Sequence, residues 1–195
     1  ITNVVNAINW AVDHGANVIN MSLGWVSPDA SLEAALNNAK NHGVIVAVAA
    51  GNSAGSSPEF PASYAQSLSN VIAVGASTLS GASSFNMANF SNRAGSTLGY
   101  NFVDAPGQSV LGYGLNSVIQ SWSGTSMSAP LVAAEAADLL SANTGLTTDQ
   151  IVSDIVHSTV SINSSSNQAG PVLNSTALKA QHFNAVRALS TNSDN

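Results

Sequence analysis

Every residue of Val44-Ile45-Val46-Ala47-Val48-Ala49-Ala50 is apolar. A strand with one face in water alternates, so an unbroken run belongs inside a parallel sheet covered on both faces. It is too short for a buried helix, which needs at least about ten residues. Helices must therefore flank it, and the sequence supplies them. Val5, Ile8 and Val12 recur at helical spacing, with Gly15 placed to end that helix. Asn17–Ser22 is a short β-type run, and Leu32, Ala35, Leu36 and Ala39 mark a helix over 31–41 that ends at His42-Gly43. A third apolar run spans Val71 to Ala76. Strand, helix and strand at this spacing form a βαβ unit. The expected class is α/β, with a mostly parallel sheet and helices on both faces.

The remainder is less regular. Gly, Ser and Asn punctuate residues 77–123, which predicts loops and small antiparallel strands. A helix is expected over Pro130–Asn143, with Pro in its first turn, and it is apolar nearly all round. Thr147 and Gln150 form a capping box for another helix carrying Ile151 and Ile155. Residues 161–176 read as a Ser/Asn loop, Phe183–Leu189 as a short closing helix, and 191–195 as the start of a linker or tail. Residues 1–190 are expected to form one domain, as the length of 195 suggests. The chain opens at Ile1 directly on a helical pattern, without Met or a signal peptide, so it reads as a piece of something longer.

Composition removes whole classes of function. A net charge of −6 leaves no basic face for nucleic acid or for a polybasic membrane contact. No apolar run is long enough to span a bilayer. Zero cysteines exclude a disulfide framework, a thiolate zinc site and a cysteine nucleophile, and fit an exported bacterial protein. No cluster has metal-ligand spacing.

What chemistry remains is carried by small-residue segments. Ser123-Gly124-Thr125-Ser126-Met127-Ser128-Ala129-Pro130 precedes the buried helix. A serine oxygen there sits at a positive helix end, where developing negative charge is stabilised. Ser126 is thus a candidate nucleophile; the alternative is a simple N-cap. The apolar strand ends in Gly51-Asn52 at the carboxyl edge of the sheet, where α/β sites form. The Asn52 amide can donate to an oxyanion, and equally it can be a turn residue. Asn20-Met21-Ser22-Leu23-Gly24 brings a further strand end of small residues to the same edge.

Ser22-Leu23-Gly24, Ala49-Ala50-Gly51-Asn52 and Gly124-Thr125-Ser126-Met127-Ser128-Ala129-Pro130, in this order and spacing, closely resemble the subtilase family of serine peptidases. Supporting matches are Val71–Ala76, Phe90-Ser91-Asn92, Ala105-Pro106-Gly107 and Phe183-Asn184-Ala185. The related sedolisin pattern puts Asp where Asn52 stands. The resemblance implies that Ser126 is the nucleophile and that Asn52 and the Ser126 N–H are the oxyanion donors. It also implies that Ser22, Leu23, Gly24 and Ala49, Ala50, Gly51 wall the pocket for the residue before the cut bond, and that Thr125 supports the nucleophile turn. No cofactor is expected for catalysis. A structural calcium is possible by resemblance, at carbonyls around Pro61–Tyr64.

The family's Asp and His fall upstream of Ile1, so the expected partners are polypeptide substrates and the rest of the chain's own catalytic domain. His14, His42, His157 and His182 read as ordinary helix-end or surface histidines. Departures from the pattern are Leu131, Ala134 and Trp25, the last placed to narrow a distal subsite or to fold onto the surface. Neither pocket wall is charged, so a large uncharged side chain is expected before the cut. Glu135 and Asp138 read as an exposed acidic face, Asp104 as a loop or strand-end residue, and Asn20, a chance glycosylation match, as buried in a strand. The competing readings are a catalytically inert subtilase-derived module and an unrelated α/β hydrolase with a different triad order.

Overall fold

A computed structural model describes residues 1–80, 84–97, 99–142, 145–160 and 172–173. Helix α1 (Thr2–Asp13) leads into strand β1 (Val18–Met21), then helix α2 (Ala30–Asn41), strand β2 (Ile45–Ala49) and strand β3 (Val71–Ser80). Strand β4 (Ser84–Met87) folds back antiparallel on β3, and β5 (Phe102–Pro106) pairs with β3 in parallel. Strands β6 (Val110–Tyr113) and β7 (Ile119–Trp122) form a separate antiparallel hairpin that runs into helix α3 (Thr125–Ala142). Helix α4 (Thr148–His157) and two-residue strands β8 (Thr159–Val160) and β9 (Val172–Leu173) complete the described chain.

The main sheet has the order β1-β2-β3-β5-β9-β8, with β1, β2, β3 and β5 mutually parallel. The apolar run in β2 behaves as its composition demands. Val44, Val46 and Val48 pack beneath α1 and α2 with Ile8, Leu32 and Leu36. Ile45 and Ala47 face the other way, against Val132 and Ala136 of α3 and Ile151 and Ile155 of α4. All of these side chains are buried. The sheet is therefore sandwiched between two helical layers. Asp29 caps α2 by accepting from Leu32 N–H at 2.9 Å, and Thr147 and Gln150 make the expected capping box on α4.

Several local expectations are corrected. Residues 102–106 form a parallel strand of the main sheet rather than an antiparallel fragment, because Val103 and Ala105 bury against α3. Asp104 lies inside that strand and is fully buried, not at its end. Residues 172–173, expected within a loop, pair with β5 and β8. Asn20 is exposed, near the carboxyl end of β1, which pairs with β2 alone among the described residues. Glu135 is 5 % exposed while Asp138 is exposed, so the acidic pair does not share a solvated face. The closing helix, the tail and His182 lie outside the described residues.

Candidate active site

Helix α3 starts at Thr125, five residues before the expected Pro130 start, so Ser126 occupies its first turn. Pro130 is then inside the helix, where its missing N–H would leave the Ser126 carbonyl without its i+4 donor. The Ser22 hydroxyl fills that gap, donating to Ser126 O at 2.9 Å. Ser22 Oγ in turn accepts from Asn20 Nδ2 at 3.1 Å. A proline that would cost roughly 3 kcal/mol in a helix interior here opens a docking point for a segment 104 residues away. The Ser126 side chain is half-exposed, with its Oγ 3.5 Å from Ser22 O.

Asn52 is held just as specifically. Its Oδ1 accepts from Thr125 N at 2.8 Å and from Thr125 Oγ1 at 3.1 Å. A backbone N–H can only donate, so the oxygen must face Thr125 and Nδ2 must point away. Nδ2 is then turned toward Gly124, where a Cβ would stand only 3.4 Å from it. The Ser126 N–H lies in the first turn of α3 and has no acceptor within the helix. Thr125, fully buried, also accepts from Gly51 N at 3.2 Å. Ser126, Asn52, Thr125, Ser22 and Gly51 are thus joined in one place.

The remaining wall residues divide. Leu23 is 37 % exposed, and Gly24 is open beside it. Ala49 and Ala50 point their methyl groups into opposite cores and offer only backbone to the slot. Trp25 pairs its backbone with Phe60, at 2.8 and 2.9 Å, and its ring packs against the core beneath α1 and α2. The ring is half-buried, with its Nε1 buried.

Two contributors were missed from sequence. Asn92, 1 % exposed, accepts from Ser53 N at 3.0 Å and Gly55 N at 2.8 Å, and donates to Ala50 O at 3.0 Å. It braces the loop that carries Asn52. The Phe90-Ser91-Asn92 match was the only signal for it. Asn92→Ala in the complete protein is expected to cost about 3 kcal/mol, since buried backbone groups lose their partner at roughly 1–3 kcal/mol each. A urea midpoint that hardly moves would show that water replaces the side chain. The second is Glu59, which enters between the walls from the loop after β2. A Cβ at Gly24 would lie 3.6 Å from Glu59 Oε2, and one at Gly51 only 2.8 Å from Glu59 Cδ. Gly51, at φ +109°, must stay glycine on both backbone and steric grounds.

A reachable serine hydroxyl in the first turn of a buried helix, with an amide beside it at the carboxyl edge of a parallel sheet, is an arrangement that a serine-hydrolase type of site requires. The comparisons narrow this class. The model of the subtilase family matches residues 1–184, and the chain belongs to that family of serine endopeptidases. It is 36 % identical over 177 residues to subtilisin BL of Lederbergia lenta, covering 91 % of this chain and 61 % of that protein. An alkaline protease of Alkalihalobacillus alcalophilus is 34 % identical, again over 91 % of this chain but 43 % of its own length. Among solved structures, the prenylagaramide maturation protease PagA superposes with a TM-score of 0.80 at 28 % identity, covering 93 % of this chain and 67 % of that one. The chain thus spans about three-fifths of subtilisin BL.

Proposed function

We propose that this chain carries the nucleophile, oxyanion donors and substrate slot of a serine endopeptidase. The general base and the carboxylate that orients it come, in this reading, from residues of the same protein outside these 195. The observation that carries the reading is the lock between Asn52 and Thr125, which leaves one amide N–H aimed beside Ser126. In the reaction, Ser126 Oγ attacks the peptide carbonyl carbon while the base takes its proton. The carbonyl oxygen becomes an oxyanion held by the Ser126 N–H and Asn52 Nδ2. Collapse expels the amine and leaves an acyl-serine, which water hydrolyses.

A base from elsewhere is supported by what the described histidines do. His14, His42 and His157 each place Nδ1 within hydrogen-bond distance of a carbonyl four residues back on their own helix. None bonds Ser126. Further chain has somewhere to pack: beside β1, which pairs only with β2 among the described residues, runs an apolar groove lined by Val4, Ala7, Ile8, Ile19 and Leu23.

Polypeptides are the substrate class, and the proposal places the protein outside a bacterial cell or on its surface. No described helix is long and apolar enough to cross a membrane. A structural calcium is carried by resemblance alone, and the fit at 61–64 is poor. Pro61 O already accepts from Tyr64 N, and Tyr64 O from Ser67 and Leu68. No group of three or more ligating side chains gathers among the described residues.

Labelling tests the proposal. In the complete protein a fluorophosphonate is expected to modify Ser126, whereas residues 1–195 alone should neither label nor cleave casein. Robust labelling of the shorter chain would mean that a base is recruited from within it. An unlabelled complete protein would favour the inert-module reading.

A further inference from the structure

We propose that Glu59 makes the slot before the cut bond selective for lysine or arginine. The two walls, Ser22–Gly24 and Ala49–Gly51, carry no charge of their own, and on them alone a large apolar side chain would be the natural occupant. Glu59 changes that. Its segment is stitched to both walls: Glu59 N–H donates to Ala50 O at 2.9 Å, and Phe60 exchanges two backbone hydrogen bonds with Trp25. Those bonds fix the Glu59 backbone between the two walls.

Its two oxygens have different surroundings. Oε1 accepts from the Ser53 hydroxyl at 2.9 Å, which fixes the carboxylate plane. Oε2 is the oxygen nearer both glycines, 3.6 Å from a Cβ at Gly24 and 3.0 Å from one at Gly51. It accepts no hydrogen bond from the described residues, yet it is not among the buried unpartnered atoms, so solvent or a ligand can reach it. Among the described residues the side-chain partner of Glu59 is the Ser53 hydroxyl. A half-buried carboxylate with no cation beside it among the described residues, packed against both walls, is the complement of a cationic side chain.

The reach also fits. The nucleophile stands at the Ser22 end, tied there by the bond from Ser22 Oγ to Ser126 O. Gly24 lies two residues on, at most roughly 7 Å of chain. A side chain that enters beside Ser126 and follows this wall meets Oε2 past Gly24, and lysine's flexible four-carbon stem or arginine's longer fork suits that path. The missing side chains at Gly24 and Gly51 are what let the Glu59 carboxylate pack against both walls. An acidic side chain would instead face Oε2 unpaired and be repelled.

This inference rests on the endopeptidase reading, and its test separates the two. The complete protein and Glu59→Gln are assayed on peptide coumarin amides that differ only in the residue before the cleaved bond: Lys, Arg, Phe or Asp. Ser126 labelling by a small uncharged fluorophosphonate is followed in parallel. The expected result is kcat/KM for Lys and Arg at least about tenfold above Phe, with Asp poorest. The Gln variant should lose roughly tenfold on Lys and Arg, keep its rate on Phe and label normally, as removal of one charge-assisted hydrogen bond predicts. Glu59→Lys should reverse the preference toward Asp. Normal labelling with Phe preferred over Lys, or a Gln variant impaired equally on all four peptides, would overturn the role of Glu59. Failure of both proteins to label or cleave would overturn the endopeptidase reading, and the slot assignment with it.

Discussion

Ser126→Ala in the complete protein is expected to lower kcat about 10⁶-fold, a size known from the nucleophile of a subtilisin, a member of the same family. Alanine removes the attacking oxygen but not the fold around it. The Ser126 carbonyl still meets Ser22 Oγ, and Thr125 still holds Asn52, because neither contact uses the Ser126 side chain. KM should therefore move little, and the melting temperature should stay close to that of the parent. Residual turnover well above water is expected, since the oxyanion donors and the slot remain. Turnover of a peptide anilide, with active-site titration to exclude contaminating parent enzyme, measures the effect. A loss smaller than about a hundredfold is incompatible with Ser126 as the nucleophile.

Asn52→Ala should reduce kcat by roughly 10²–10³ with KM nearly constant, the range known for the equivalent amide of a subtilisin. The argument for kcat rather than KM comes from geometry. Asn52 Nδ2 is pre-aimed by two bonds on its own Oδ1, so it pays no reorientation when charge develops on the substrate oxygen. It contributes most where that charge is largest, in the transition state. The same substitution strips Thr125 of its acceptor, so a small loss of stability should accompany the kinetic effect. Steady-state kinetics on one amide substrate, beside a thermal melt, separate the two. A rise in KM at constant kcat would assign Asn52 to ground-state binding instead.

Much of the layout was legible because it is written in neighbouring residues. An apolar run without alternation, Val44–Ala50, can satisfy itself only between two helical layers, and it sits between two. The Thr147–Gln150 box closes over one turn of chain. The same holds for the cluster of Ser22, Asn52 and Ser126, since each stands just past a strand or in the first turn of a helix, and parallel strands bring such ends to one edge.

Other features depended on contacts that periodicity does not encode. Glu135 lies on a helix that is apolar nearly all round, and it is buried by the packing of α3 rather than by its own charge pattern. The segment 102–106 has strand character in sequence, but only its neighbours β3 and β9 make it a parallel member of the main sheet. Asn92 braces a loop some forty residues earlier in the chain. Pro130 reads as a helix start, yet it became an interior residue because a hydroxyl from β1's end takes over the bond that it cannot make.

What the sequence by itself determined was the class of sheet, the helices that cover it and which short segments meet at the candidate site. Those depend on interactions within a few residues, whose spacing is visible along the chain. The meeting of Glu59 with Gly24 and Gly51 was decided only by the tertiary structure. Glu59 sits in an irregular loop with no periodic signal, and it meets Gly24 and Gly51 because backbone bonds to Ala50 and Trp25 fold that loop between two strand ends. A carboxylate's effect depends on what lies within a few ångströms of it, and for Glu59 those neighbours come from segments distant in sequence.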